Sequence, residues 1–248
     1  MTERWPLEPS PLGAILVPPL LPASGFLFYT TAAFDGFLTA QSIDRIQSFI
    51  RERFGVPSVL STCEQVHGVN TFQVPAAEVW REYPQCDALF TASKAVALGI
   101  KVADCLPVTL ADPVHSVLAN IHSGWRGSLR GIVPRTMEAM RAGTGFTAAG
   151  AIAWLGPSIR VCCFEVGEEV IEQFAAVHPG AERFTNRSVG LKPHFDLPAF
   201  TRSLLTAGGF AEDNIHDSGI CTRCEPATFH SYRRLGRSGG RNLAIAGQ

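Results

Sequence analysis

Apolar residues recur at helical spacing in four stretches of the chain. Between Gln41 and Phe54 they fall at positions 43, 46, 49, 50 and 54, which is the pattern of a helix with one buried face. The same spacing predicts three further helices, over Ile132–Met140, Glu168–Val177 and Leu197–Ala207. We therefore expect four helices that each cover a core.

Four shorter apolar runs are typical of buried strands. These runs are Ala95–Val102, Leu106–Ala111, Ser116–Ile121 and Ala151–Leu155. Predicted strands and helices follow one another without a regular βαβ alternation. This mixture favours an α+β fold in which helices cover layers of sheet.

The length of 248 residues suits one large domain or two similar halves, and we expect a single domain over 1–248. Apolar residues make up 46% of the chain and charged residues 17%, so an ordered core is expected. Prolines at 18, 19 and 22 interrupt the apolar N-terminal stretch. We therefore expect 1–24 to be an irregular arm instead of a signal peptide.

The charge and apolar pattern exclude several classes of partner. The formal net charge is −1, which gives no general attraction to nucleic acid or to an anionic membrane. No apolar run reaches the roughly 18 residues of a membrane-spanning helix. We expect a cytoplasmic protein whose seven cysteines are thiols or metal ligands, because disulfides are rare in that compartment.

A predicted hairpin brings Cys105 close to His122. The two apolar runs flank a four-residue turn that begins at Asp112-Pro113, and Asp-Pro is a good turn starter. If Ala111 pairs with Ser116, the same register pairs Cys105 with His122. Directly opposed residues have Cβ atoms roughly 5 Å apart, so both side chains can reach one metal ion. A register slip of one residue would separate them.

A third ligand comes from the Gln65-Val-His-Gly68 segment. There His67 precedes a glycine that permits a tight turn. One thiolate and two imidazoles suit zinc or copper, and three protein ligands leave a position where water can be activated. Taken singly, a cysteine such as Cys105 is more often a packing residue, and a histidine before glycine, such as His67, is more often a turn residue.

Arginines on two segments suggest an anion site. The glycine-rich run after His122 leads into a helix and offers free backbone N–H groups, and Arg126 can clamp a phosphate or carboxylate. A surface arginine beside a glycine turn is the alternative. The basic cluster near the C-terminus, including Arg233 and Arg241, suits a second contact with a small anion, although a solvated basic tail fits as well.

Other cysteines give weaker signals. Cys221-Thr-Arg-Cys224 is a single CxxC motif without a second pair at zinc-finger spacing. Cys162 and Cys163 are adjacent, and successive residues of a strand point to opposite faces. The sequence therefore favours one metal centre and no second one at these cysteines.

The motifs in order resemble a known family. They are Gln65–Gly68, Cys86–Leu89, Ala103–Pro107, His122–Gly127, Gly156–Ile159, Phe164–Gly167, Cys221–Thr222 and Ser231–Arg234. Together they are similar to the multicopper polyphenol oxidase, or laccase-domain, family. Its members are described mostly as purine nucleoside phosphorylases with adenosine deaminase activity, and some bacterial relatives are linked to peptidoglycan precursor editing.

The resemblance implies a four-layer α/β/β/α sandwich of mixed sheets, of the kind found in the cytotoxic necrotizing factor deamidase. It also implies that His67, Cys105 and His122 hold Zn²⁺, with Cu²⁺ as the alternative. Expected partners are a nucleoside and phosphate, bound by a monomer or homodimer. Gln65 is expected to contact the substrate with the arginines named above.

Two carboxylates are candidates for proton transfer in such chemistry, Asp104 and Glu165. The alternatives are a salt bridge for Glu165, and for Asp104 a turn position or a contact that orients a metal ligand. A second hypothesis is an amide hydrolase of peptidoglycan precursors, with Cys105 as the nucleophile and His122 as the base. A polyphenol oxidase that uses copper and a non-enzymatic binding module are further alternatives. The chain departs from the family pattern over Thr30–Gly36, where members usually carry an arginine and a Gly-Gly-Val-Ser stretch.

Overall fold

The computed structural model describes residues 5–19, 25–34, 36–76 and 79–248. Within these ranges, fifteen strands form: β1 Leu7–Ser10, β2 Gly13–Leu16, β3 Phe26–Thr30, β4 Val59–Cys63, β5 Thr71–Gln73, β6 Arg81–Tyr83, β7 Ala88–Thr91, β8 Val96–Val102, β9 Leu106–Asp112, β10 Val117–Ser123, β11 Ile152–Leu155, β12 Thr185–Asn186, β13 His194–Phe195, β14 Ile215–Asp217 and β15 Asn242–Gly247. The α-helices of the same ranges are α1 Ala40–Phe54, α2 Trp125–Leu129, α3 Ile132–Thr144, α4 Glu168–Val177, α5 Leu197–Ala207 and α6 Tyr232–Leu235. None of these helices has the length and apolarity needed to cross a bilayer.

Four layers make up the molecule, in the order helix, sheet, sheet, helix. A seven-stranded sheet has the order β1-β2-β3-β15-β8-β4-β6, and a six-stranded sheet has the order β14-β11-β9-β10-β7-β5. Helix α1 covers the outer face of the first sheet, and α3, α4 and α5 cover the outer face of the second. The α+β class and the α/β/β/α layering expected from the sequence are confirmed.

Alternate residues of one strand serve two different cores. In β15, Leu243 and Ile245 pack towards α1, whereas Ala244 and Ala246 belong to the core shared by the two sheets. Both faces of the strand are therefore buried, and all six of its residues are inaccessible. This is why the central strands are continuous apolar runs instead of alternating ones.

The predicted helices and strands are found close to their expected limits. The helix expected over 41–54 is α1, which begins after Thr39 in a capping box with Ser42 and ends at Gly55 with φ 70°. Helices α4 and α5 have the expected bounds. Helix α3 continues beyond the expected Met140 as far as Thr144.

The N-terminal segment is more regular than expected. Residues 7–16 form a β-hairpin whose second strand pairs with β3, so the expectation of an irregular arm is wrong for this part. Ser10 Oγ donates to Gly13 O at 2.6 Å across the turn, and Gly13 has φ 88°. The prolines that suggested irregularity come after the hairpin. Residues 1–4 and 20–24 of the expected arm lie outside the described residues.

The β9–β10 hairpin exists, but its register differs from the prediction by two residues. Val117 pairs with Asp112, and Ser123 pairs with Leu106. Ser116, expected in the strand, has φ 52° and belongs to the turn. A shift of two residues keeps every side chain on its expected face, because the side-chain period of a strand is 2.

A buried amide connects the two sheets. Asn120 of β10 is fully buried, and its Nδ2 donates to Leu98 O at 3.0 Å and to Ala244 O at 2.9 Å in the opposite sheet. Its Oδ1 accepts from Thr109 Oγ1 at 3.2 Å. Because these bonds have fixed directions, they set how the apolar faces of the sheets align.

Replacing this amide tests its contribution to stability. Asn120→Ala is expected to lower the free energy of unfolding by about 1–3 kcal/mol, because buried hydrogen bonds are lost. Urea denaturation measures the change. The control is Asn70→Ala, which removes an exposed bond to Gln85 O and is expected to cost less than about 1 kcal/mol. Equal losses in the two variants would contradict a special role for Asn120.

Candidate metal centre

A deep pocket opens where three connections of the sheets meet the C-terminal segment. Its cavity of about 940 Å³ is bordered by the β4–β5 loop, the β8–β9 bend, the β10–α2 junction and the segment 232–241. The three expected metal ligands all line it. His67 lies in the first of these loops, Cys105 in the bend and His122 near the end of β10.

The ligand atoms of His67, Cys105 and His122 lie within 4.8 Å of one another. His67 Nε2 is 3.8 Å from Cys105 Sγ, and the two imidazole rings are 4.8 Å apart at an angle of 82°. Zinc bonds of about 2.0–2.1 Å to nitrogen and 2.3 Å to sulfur place such ligand atoms roughly 3.5 Å apart. The donor set therefore fits one ion.

A buried carboxylate positions both histidines. Asp87 Oδ1 is 2.7 Å from His122 Nδ1, which turns His122 Nε2 towards the centre. The same carboxylate accepts the backbone N–H groups of Val66, His67 and Gly68 at 3.2, 2.9 and 2.7 Å. His67 is thereby held with φ 59°, a left-handed conformation that needs such support.

Sequence reasoning gave Asp87 no role beyond membership of a motif. One signal was available, because Asp87 directly precedes the fully buried strand β7 and is itself 0% exposed. A buried carboxylate requires partners. Nothing in the spacing showed that those partners are the metal-binding loop and His122.

The electrostatics of the centre favour charged side chains. Burial would raise the pKa of Asp87, but the hydrogen bonds from His122 and the backbone hold it below its ordinary value. Burial also opposes ionisation of Cys105, yet the charge of His122 and hydrogen bonds from both histidines lower its pKa to about 6. Burial would lower the pKa of His122, whereas the Cys105 thiolate and Asp87 raise it to about 9.

Asp104, a candidate for proton transfer, lines the pocket and also holds the Cys105 bend in place. Its carboxylate accepts Thr222 Oγ1 at 2.6 Å, Ser231 Oγ at 3.0 Å and the backbone N–H of Arg233 at 2.6 Å. The residue is buried and has φ 80°. These bonds join the β8–β9 bend to the C-terminal part of the chain.

The glycines after His122 are required by close packing. A Cβ on Gly124 would lie 3.0 Å from Cys105 Sγ and 3.1 Å from His67 Cδ2. The pairing of β9 with β10, continued by one residue, sets Gly124 and not His122 opposite Cys105. Cys105 and His122 are thus diagonal neighbours, which corrects the direct pairing that we expected.

The three expected anion-binding arginines line the pocket. Arg126 is exposed and stacks over the Trp125 ring at 4.3 Å. Arg233 donates to Glu165 O at 3.0 Å and to Cys163 O at 3.5 Å. Arg241 donates to the carbonyl oxygens of residues 239 and 240 at 2.8 and 2.9 Å. Among the residues that the structure describes, no carboxylate forms an ion pair with these three guanidinium groups.

Two other expected residues have structural contacts. Gln65 lines the pocket, but its amide exchanges two hydrogen bonds with the backbone of Lys101, at 2.7 and 2.9 Å. The Glu165 carboxylate lies 3.8 Å from Lys192 Nζ on the surface and is not part of the pocket wall. The structure thus brings the metal ligands and arginines together but leaves Glu165 outside.

Comparison with known proteins shows the family of the chain and agrees with its fold. Residues 39–247 match the family model described as multi-copper polyphenol oxidoreductase laccase. The chain belongs to this laccase family. The crystal structure of the hypothetical protein YfiH from Bacillus licheniformis is similar in fold, with a TM-score of 0.82 and 22% identity over 98% of both chains.

Relatives in this laccase family have names that refer to purine nucleosides. The chain is 40% identical to adenosine deaminase RL5, from an unknown prokaryotic organism, over 63% of its length and 60% of that protein. It is 35% identical to a purine nucleoside phosphorylase of Xylella fastidiosa strain 9a5c, over 79% of its length and 75% of that protein. The chain thus spans less than two thirds of the deaminase.

Changing the buried carboxylate tests the geometry of the centre. Asp87→Asn is expected to weaken zinc binding about 10–100-fold, because an amide nitrogen cannot accept the N–H groups that orient the ligands. Competition with a chromophoric chelator measures the affinity.

Asp112→Asn is the matched control for this change. Asp112 is also buried, and it binds His115 Nδ1 at 2.7 Å and backbone N–H groups at the far end of the hairpin. Zinc affinity should stay unchanged in Asp112→Asn. An equal loss in both variants would attribute the effect to general destabilisation.

Proposed function

We propose that this laccase-family protein is a zinc-dependent enzyme of purine nucleosides that catalyses phosphorolysis and deaminates adenosine. One observation carries the proposal: the His67–Cys105–His122 ligand cluster shares a pocket with several arginines that form no ion pair within the described part of the chain. The names of the relatives support the same class of substrate. The cavity of about 940 Å³ lies within the usual range for small-molecule sites.

The phosphate would be held by arginines of the pocket wall. No carboxylate among the described residues forms an ion pair with Arg126 or Arg237, and both line the cavity. Guanidinium groups bind phosphate oxygens through paired, charge-assisted hydrogen bonds. These two side chains are thus available for the attacking anion.

Aromatic side chains of the same wall suit a purine ring. Phe37, Trp125 and Tyr232 line the cavity, and Phe37 and Tyr232 are 65% and 49% exposed. Large apolar faces at a pocket mouth favour stacking with a base. The arginines are thus suited to bind phosphate, and the aromatic rings are suited to bind the purine base of a nucleoside.

The donor set fits zinc, and only one cluster among the described residues contains histidine. When zinc is bound, it supplies Lewis acidity at the position that three protein ligands leave open. In neutral His122 with its proton on Nδ1, the Asp87 carboxylate would accept that proton in a hydrogen bond and leave Nε2 free to bind the metal. A copper oxidase is the less supported alternative, because clusters of several copper ions use more histidines than this centre offers.

Both proposed reactions proceed without redox change. In phosphorolysis, a phosphate oxygen forms a bond to ribose C1′ while the bond from C1′ to the purine nitrogen breaks, and the base leaves with a proton. In deamination, water adds to purine C6 and ammonia leaves. The residues of the pocket bind and orient the reactants for both reactions.

Phosphorolysis is tested with zinc-loaded protein, adenosine and inorganic phosphate. We expect adenine and ribose 1-phosphate from phosphorolysis, and inosine from deamination. Arg126→Ala is expected to lower kcat/KM for phosphate about 10–100-fold, because a charge-assisted contact worth roughly 1.5–3 kcal/mol is lost. Deamination, which uses no phosphate, should change less.

The control for this variant is Arg130→Ala, at the end of the same helix. Arg130 is exposed and is not part of the pocket wall, so both activities should remain. Absence of adenine, ribose 1-phosphate and inosine with folded, zinc-loaded protein would contradict the proposal.

A second candidate function is supported by the state of Cys105. The lowered pKa of about 6 and its proximity to His122 are typical of a Cys–His nucleophile. An amide hydrolase that acts on peptidoglycan precursors would use Cys105 to attack the carbonyl carbon and His122 to protonate the leaving amine. A metal ion on the same thiolate would prevent this reaction.

Alkylation separates the two candidates. In chelator-treated protein, iodoacetamide should label Cys105 with a midpoint at about pH 6, far below the ordinary thiol pKa of 9.0, and the rate should fall as pH falls through that value. Mass spectrometry of the peptide that contains Cys105 gives the rate at each pH. Zinc should protect the residue. Equal labelling with and without zinc would favour the hydrolase.

A further inference from the structure

Four cysteines meet in a second cluster outside the pocket. The Sγ atoms of Cys162, Cys163, Cys221 and Cys224 all lie within 4.8 Å of one another. Cys224 Sγ is 3.4 Å from Cys163 Sγ and 3.8 Å from Cys162 Sγ. The sequence predicted no such cluster, because adjacent cysteines on a strand would point in opposite directions.

Turns on both segments explain the convergence. Residues 161–163 and 222–224 are turns and not strands, so strand alternation does not apply to Cys162 and Cys163. The parallel pairing of β11 with β14 continues into a bridge between Ser158 and Cys221. Arg160 then joins Asp217 through two hydrogen bonds of 2.7 Å. The two cysteine turns are therefore anchored side by side.

A guanidinium lies beside the turn that carries Cys221 and Cys224. Arg234 Nη1 donates to the carbonyl oxygens of Thr222 and Arg223 at 3.3 Å. Positive charge beside thiols favours the thiolate form, which is the form that binds a metal ion.

The spacing of the sulfur atoms distinguishes a metal ion from a disulfide. Four ligands at the Zn–S distance of about 2.3 Å in a tetrahedron are about 3.8 Å apart. A disulfide joins only two sulfur atoms. It would not explain why all four sulfur atoms lie close together. Two of the cysteines are buried and two are exposed, so an ion can reach the cluster from solvent.

We propose that Cys162, Cys163, Cys221 and Cys224 form a second metal site, which binds one Zn²⁺ through four thiolates. All four positions of a tetrahedral ion are then filled by protein, which is the arrangement of a structural site. Binding releases the thiol protons and involves no redox change. Zinc binding at this site does not require that the function proposed for the pocket is correct.

The second site would stabilise one wall of the pocket. Thr222 lies between Cys221 and Cys224 and donates to the Asp104 carboxylate at 2.6 Å. The carbonyl oxygen of Cys163 accepts from Arg233, which lines the pocket. An ion that joins the two cysteine turns therefore holds the contacts that position Asp104 and Arg233.

Metal stoichiometry tests the proposal. The full chain, kept reduced, is incubated with excess zinc sulfate without oxygen, desalted and analysed by plasma mass spectrometry. We expect two zinc ions per chain. His67→Ala/Cys105→Ala, which changes two accessible ligands of the pocket centre, should retain one. Cys162→Ser/Cys224→Ser, which changes the two exposed thiols, should also retain one.

Cobalt gives a second measurement that does not depend on the cysteine variants being folded. In His67→Ala/Cys105→Ala loaded with Co²⁺, intense sulfur-to-metal charge-transfer bands of a tetrathiolate site are expected. Cys63→Ala is the control, because Cys63 lies in the sheet core beside Cys86; it should keep both zinc ions. If His67→Ala/Cys105→Ala is folded by circular dichroism yet holds neither zinc nor cobalt, the proposal is wrong.

Discussion

The pocket centre depends on one buried carboxylate. Asp87 faces four donors, three from the backbone of the His67 loop and one from the His122 ring. A carboxylate can be buried as an anion only if such donors surround it. The loop and the carboxylate therefore stabilise each other. The backbone N–H groups of the loop compensate the negative charge of Asp87, and their hydrogen bonds to Asp87 hold His67 in its left-handed conformation. Two ligands that are far apart in sequence share this single support.

The four-layer architecture provides the rigidity that this arrangement requires. Strand β10 contacts the opposite sheet through Asn120 and carries His122 next to its last residue, so the ligand belongs to a strand that is buried along its whole length. Asp104 ties the Cys105 bend to the C-terminal segment. Rigid support of this kind keeps ligand geometry constant while substrates enter and leave. The arginines, by contrast, lie on the rim, where side chains can adapt to an anion.

Periodicity alone was sufficient for most of the fold, because helices and buried strands have apolar patterns that depend on local geometry. The hairpin register was off by two residues, since Ser116 takes a left-handed conformation that no pattern of polarity indicates. Cys105 and His122 were still placed on one face, because an even shift preserves it. Asp87 and the second cysteine cluster were missed for another reason. Both depend on contacts between segments that are far apart in the sequence. The spacing of residues along the chain does not show which distant segments come together.

The three ligands of the pocket centre differ in accessibility in a graded way. His122 is buried, Cys105 is intermediate and His67 is exposed. His67 lies on the β4–β5 loop and Cys105 in the β8–β9 bend, whereas His122 lies within strand β10. Exposed loops open locally more readily than buried strands. A bound ion would therefore exchange with solvent on the side of His67, and the exchange rate would depend on the β4–β5 loop and not on global unfolding.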